Sequence, residues 1–284
     1  MHQTLRGVDR DRLERSCADG GDVIHLGADA PGLSRASVRL RACAFAPHRH
    51  DTYAIGLTTD GVQTFRYRGS RRLCLPGQLH VLHPDELHDG AAATDQGFAY
   101  RIVYLDPELV REALGGGPLP FVAEPVHDRT PAAAGLVRLL ADVDEPLSDL
   151  ARDEAVAAVA ALLCELGGTA PADAGAIDLA AMARVREHLR AHARQQTPAA
   201  ELERIAGLDR YAIARQFRRA YGTSPDRYRT LRRLDLARSA IEAGTPLAEA
   251  ALDAGFADQS HMTRQFRCAY GMTPGRWAAI AAAA

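Results

Sequence analysis

Two groups of side chains in this sequence have types and spacings that do chemistry. The first is a cluster of histidines. Five of the 11 lie in one stretch: His48, His50, His80, His83 and His88. His48 and His50 are two apart, so on a strand they point to the same face. Pro76-Gly77-Gln78-Leu79 turns the chain and returns His80 toward that face, and Asp85, Glu86 and His88 lie on the next turn. Imidazoles and carboxylates placed this way hold a polar small molecule or a zinc, iron or nickel ion. The expected effector set is His48, His50, Tyr53, His80, Glu86 and His88. Arg101 and Tyr104 from a later strand add to it and suit a polar or anionic ligand. The metal set, if a divalent ion binds, is His48, His50 and His80. The plain alternative is a hydrogen-bonded core that needs no cofactor.

The second group occurs twice. Arg215-Gln216-Phe217-Arg218, then Ala220-Tyr221-Gly222-Thr223 and Pro225, returns as Arg264-Gln265-Phe266-Arg267, then Ala269-Tyr270-Gly271 and Thr273-Pro274. A Gly-apolar pair precedes each copy, Gly207-Leu208 and Gly255-Phe256. A duplication at one offset outweighs any single motif, and helix, Gly-containing turn and second helix is the helix-turn-helix pattern. The start of each second helix enters the major groove. In the first copy Ile213 and Phe217 face the core, leaving Arg210, Tyr211, Ala214, Arg215 and Arg218 outward. In the second Met262 and Phe266 face the core, leaving Gln259, Ser260, His261, Thr263 and Arg264 outward. Arg bridges guanine, Gln pairs adenine and Thr meets the thymine methyl, each good pair worth ~1–3 kcal/mol of discrimination.

The elements that position these groups differ between the two parts of the chain. From about Val23 to Asp106 short alternating runs such as Val62–Tyr67 and His80–His83 are punctuated by Gly and Pro, which predicts an all-β sandwich or barrel. From Pro131 apolar residues fall at helical spacing, Leu136, Leu139, Leu140 and Val143, then Val156, Val159, Leu162, Leu163 and Leu166. These helices pack on the barrel or on a second subunit. Residues 167–177 are small and turn-rich, as a linker is. Beyond them every segment reads as helix: from Asp178 to about Arg194, then 198–206, 210–221, 225–243, 247–254, 258–270 and a short one from Pro274. The helix from Pro225 spans ~28 Å, enough to hold two reading helices about one DNA turn apart. Its Arg227, Arg229, Arg232 and Arg233 are expected at phosphates or in solvent.

Charge divides the same way. Residues 178–284 carry 17 arginines against 11 acidic residues, and residues 1–177 carry 17 against 25. A basic part on an acidic remainder fits nucleic-acid binding. Every basic residue is arginine, with abundant alanine beside it, as the coding bias of a GC-rich genome produces. No apolar run approaches a membrane span, and Met1–Arg6 lacks the apolar core of a signal peptide, so a cytoplasmic protein is expected. The five cysteines show no CxxC spacing and indicate neither disulfides nor a zinc module. Nucleophile, dinucleotide and P-loop motifs are missing.

Gly255-Phe256-Ala257-Asp258-Gln259-Ser260-His261, with Arg264-Gln265-Phe266 and Tyr270-Gly271-Met272-Thr273-Pro274, resembles the signature of the AraC/XylS family of transcription regulators. Arg232–Arg238 is similar to that family's linker helix. The resemblance covers about 197–278. It implies a seven-helix domain with two helix-turn-helix units and base contacts from Tyr211, Ala214, Arg215, Gln259, Ser260, Thr263 and Arg264. The first copy has Glu203 where the second has the small Ala251. A carboxylate there must turn outward or be paired. Phe45–His50 with Pro76–His80 resembles the two motifs of the cupin β-barrel over about 38–105. Metal-binding cupins add a glutamate after the second histidine, but Tyr53, Ala54 and Ile55 stand there.

The fold expected is an α+β multidomain chain: a cupin-like sensory β-barrel (1–128), a helical connector that could dimerise (129–166), a linker (167–177) and an all-α double helix-turn-helix domain (178–284). The function expected is sequence-specific binding of a double-stranded DNA operator, governed by a small-molecule effector in the barrel. The resemblance implies a homodimer, with RNA polymerase as a further partner. The rival reading is a metal-dependent cupin enzyme carrying an unrelated helical domain.

Overall fold

The computed structural model describes residues 22–41, 44–169 and 176–281. Met1–Arg6, Cys17, Cys43 and most of the expected linker lie outside the described residues. The described residues fall into two compact units. One comprises 22–147 and 155–169, the other 148–154 and 176–281. The expected connector 129–166 is thus divided, and residues 148–154 belong with the C-terminal helices.

Ten antiparallel strands build the first unit: β1 (Val23–Leu26), β2 (Leu33–Leu40), β3 (Phe45–His48), β4 (Tyr53–Gly61), β5 (Gln63–Tyr67), β6 (Ser70–Cys74), β7 (Leu79–Leu82), β8 (His88–Ala92), β9 (Phe98–Leu105) and β10 (Val126–His127). The expected barrel takes the form of two sheets, ordered β1-β2-β9-β4-β7-β10 and β3-β8-β5-β6. Alternation along each strand sends Ala36, Val38, Leu40, Phe65, Tyr67, Leu82, Phe98, Tyr100 and Ile102 into one core. Arg101 falls on the opposite face of β9, against the expectation that it joins the ligand site. Its guanidinium donates to the carbonyls of Leu140 (2.8 Å) and Ala141 (2.6 Å). Arg35 is buried and serves a similar purpose, donating to the carbonyls of Ala28, Leu139, Asp142 and Glu145. Burial lowers its pKa, partly offset by the nearby carboxylates of Asp142 and Glu145. Helices α1 (Pro107–Ala113), α2 (Ala134–Leu139) and α3 (Asp149–Leu166) follow.

The second unit adds seven helices: α4 (Leu179–Ala191), α5 (Ala199–Ala206), α6 (Arg210–Tyr221), α7 (Pro225–Glu242), α8 (Leu247–Asp253), α9 (Gln259–Tyr270) and α10 (Pro274–Ala281). Four of their starts, those of α4, α6, α7 and α9, are set by side-chain caps. Asp178, Asp209, Ser224 and Asp258 each accept backbone N–H groups of the first turn that would otherwise lack partners. Two cores result. Met182, Val185, Leu202, Ile213 and Phe217 form one, and Leu234, Ala250, Ala251, Met262 and Phe266 the other. Arg233 joins the halves by donating to the carbonyls of Ala193 (2.6 Å) and Gln195 (3.0 Å). Gly255, at φ 88°, lets the second turn close on Arg194, whose carbonyl a Cβ would overlap.

Candidate nucleic-acid interface and effector site

The second reading helix is set as its sequence predicts. Asp258 Oδ1 accepts the N–H of His261 at 2.7 Å, and Phe256 packs edge-on to the His261 ring at 5.4 Å. Met262 and Phe266 are fully buried. Gln259, Ser260 and Arg264 are exposed, with His261 and Thr263 half-buried beside them. This face presents an amide, two hydroxyls, an imidazole and a guanidinium, the donor and acceptor set that reads base edges.

The first reading helix is not open in the same way. Tyr211 and Ala214, expected outward, are only 3% and 7% exposed, and Arg210 and Arg215 are half-buried. Glu203 accepts both the backbone N–H and the Nε–H of Arg210, each at 3.1 Å. The carboxylate that replaces a small residue in this copy is therefore turned outward and paired. Along α7 the expectation of phosphate contacts is corrected for two residues. Arg233 is buried against carbonyls, and burial lowers its pKa to about 10. Arg229 is buried on Asp226 (2.8 Å) and Ser148 (3.1 Å). Arg227 and Arg232 stay half-buried, Arg232 in an ion pair with Asp235 at 3.1 Å.

In the sheet unit, strand register decides which histidines meet. β3 and β8 place His48 opposite His88. Their rings lie 4.4 Å apart, with His50 4.8 Å from His88 and Tyr104 5.6 Å from His50. The third imidazole is thus His88 and not His80. His80 sits opposite Gly56, between Phe65 and Tyr100, and its ring fills the space a Cβ on Gly56 would take. Burial, then the neighbouring His88, lowers the His80 pKa to about 3, so it stays neutral. Two further members of the expected set are held elsewhere. Tyr53 donates its hydroxyl to the carbonyl of Pro120 at 3.1 Å, and Glu86 pairs with Arg68 at 3.0 Å. His83 accepts the N–H of Val122 at 3.0 Å. These contacts bind the segment after α1 as a strap, a role sequence reasoning missed because it joins residues far apart in the chain.

His48, His50 and His88 share one arrangement. In each, Nδ1–H donates to a carbonyl two residues away: Ala46 (2.8 Å), Thr52 (2.8 Å) and Glu86 (2.9 Å). A carbonyl only accepts, so Nε2 of the neutral ring keeps its lone pair. Burial lowers the pKa of His50 and brings that of His88 to about 4. The site therefore offers acceptors, which suits a ligand rich in hydrogen-bond donors better than an anion. Among the described residues no three His, Cys, Asp or Glu side chains form a group that could hold a metal ion, and Tyr53, Ala54 and Ile55 stand where metal-binding cupins place their glutamate.

Two family models match the chain along its length. The AraC-like ligand binding domain covers residues 30–160, and a helix-turn-helix domain covers 202–280. The chain belongs to the AraC family of transcription regulators. It is a DNA-binding regulator with an effector-binding domain, and the enzyme reading leaves the helix-turn-helix match without a role. Among curated proteins this AraC-family chain is similar to the uncharacterized HTH-type transcriptional regulator YbfI of Bacillus subtilis, 26% identical over 77% of this chain and 81% of that one. Among solved structures it is similar to apo ToxT of Vibrio cholerae, 12% identical over 89% of this chain and 98% of that one, with a TM-score of 0.38. An AraC-type regulator from Chromobacterium violaceum is 21% identical over 37% of this chain and 94% of that one, with a TM-score of 0.34. No described helix is long and apolar enough to cross a membrane.

Proposed function

We propose that this regulator reads a two-box operator, with α9 contacting base edges through Gln259, Ser260, His261, Thr263 and Arg264, and α6 through Arg210, Tyr211, Ala214 and Arg215. The observation that carries this reading is the exposed face of Gln259, Ser260 and Arg264 on a capped helix behind the Gly255 turn. α7, of 18 residues, separates the two reading helices by ~27 Å along its axis. The small-molecule effector binds at His48, His50, His88 and Tyr104 and contributes hydrogen-bond donors to the imidazole lone pairs. His80, Tyr53 and Glu86 act behind this set, holding the core and the strap. No cofactor is required for either task.

The chain works in the cytoplasm as a homodimer with RNA polymerase as a further partner. Analytical ultracentrifugation that finds a monomer at every working concentration removes the dimer. Binding-site selection on genomic DNA at two salt concentrations tests the operator. The expected outcome with cell extract present to supply the effector is two enriched boxes about one helical turn apart, with affinity falling steeply as salt rises. No enrichment over random DNA in the presence or absence of cell extract overturns the reading.

A further inference from the structure

The duplication supplies an internal control. α6 and α9 follow the same pattern, and their core positions, Ile213 with Met262 and Phe217 with Phe266, are equally buried. The outer positions are not. Gln259, Ser260, Arg264 and Arg267 are exposed, whereas their counterparts Arg210, Arg215 and Arg218 are half-buried and Tyr211 is buried. The first copy therefore has something on its reading face that the second lacks.

Part of that cover is Ser148 with the first helical turns of α3, residues 149–154, called the turn below. Leu150 joins the apolar cluster of Ile213 and Phe217 and lines one crevice with Asp153, Arg210 and Ala214. Glu154 pairs with Arg218. Ser148 accepts from Arg229 at 3.1 Å and donates to Asp226 at 2.7 Å. The segment brings Asp153, which also pairs with its neighbour Arg152 at 3.0 Å, and Glu154 to the face whose arginines meet DNA in the two-box reading. A carboxylate and a phosphate compete for the same guanidinium. The contact is also imperfectly satisfied: among the described residues Asp153 Oδ2 and Arg229 Nε and Nη1 are buried with no hydrogen-bond partner. Withdrawing the turn returns these atoms to water, which favours release.

We propose that the acidic turn Ser148–Glu154 is a removable cover on the first reading helix, so that the covered protein reads DNA through α9 alone and uses α6 only after the turn withdraws. This rests on the two-box reading above and adds the regulation of its first box. The test is footprinting and affinity on the selected operator in the absence of cell extract, using the full chain, with Glu154→Arg and the charge-neutral Leu150→Ala beside the unaltered protein. The expected result is one protected box for the unaltered protein and two for both variants, with about tenfold tighter binding. Protection of both boxes by all three proteins at equal affinity overturns the cover and leaves the two-box reading intact. Arg264→Ala separates the two ideas. If no protein protects any box and Arg264→Ala changes nothing, the assignment of α9 fails and the cover falls with it.

Discussion

Arg264 is exposed on α9, and its guanidinium is the group on that helix best able to bridge a guanine. Arg264→Ala should weaken operator binding by ~1–3 kcal/mol and relax preference at one base, as a competition series with single-base variants would reveal. Arg233→Ala should act otherwise. Its donors hold carbonyls of residues 193 and 195, so the loss should appear as a lower melting temperature of the helical unit. At His80 the expected effect is on acid stability. The unfolded ring titrates near 6.5 and the folded one near 3. The unfolded chain thus binds more protons across that window, and stability is full above 6.5 and lost as pH falls toward 3. Melting curves between about pH 7.5 and 4.5 should show this decline, and His80→Leu should make it shallower. Residue types were legible in the sequence at these positions, but partners were not. The turn before His80 points to it as the third imidazole, and only the β3–β8 pairing, made across the fold, decides for His88.

Elements with local signals were legible almost to the residue. Asp178, Asp209, Ser224 and Asp258 direct the starts of α4, α6, α7 and α9, and the glycines after α5, α6 and α9 direct their ends, because a cap or a left-handed residue acts on its own turn. Asp258→Ala should cost ~1 kcal/mol of stability through loss of the α9 cap, and chemical denaturation would measure it. The faces of those helices were less legible. The sequence places Ile213 and Phe217 inward correctly, yet it gives no hint that a turn from before the linker covers Ala214. In the sheets one tight element-scale constraint is Gly56, where a methyl group would overlap His80. Gly56→Ala should destabilise the sheet unit by ~1–3 kcal/mol, the usual cost of overpacking.

For the whole molecule the charge division read from composition has a direct consequence. A basic helical part on an acidic remainder binds DNA mainly through phosphate neutralisation, so log affinity should fall linearly with log salt, and the slope should steepen in Glu154→Arg if α6 then engages. The change from strand to helix periodicity near Pro131 does not mark the division, because residues 131–147 and 155–169 stay with the sheets; the small, turn-rich stretch 167–177 lies much nearer to it. The allocation of 148–154 to the helical unit was not legible, since a continuous helix carries no mark of where its neighbours change. The two reading helices share a scaffold but not a vocabulary: Arg210, Tyr211 and Ala214 stand where α9 has Gln259, Ser260 and Thr263. Two unlike readers in a fixed order give the operator a head and a tail. Each chain must therefore sit on its DNA with one polarity, and inverting its whole two-box site turns that chain end for end relative to the transcription start without changing how tightly the chain itself is held.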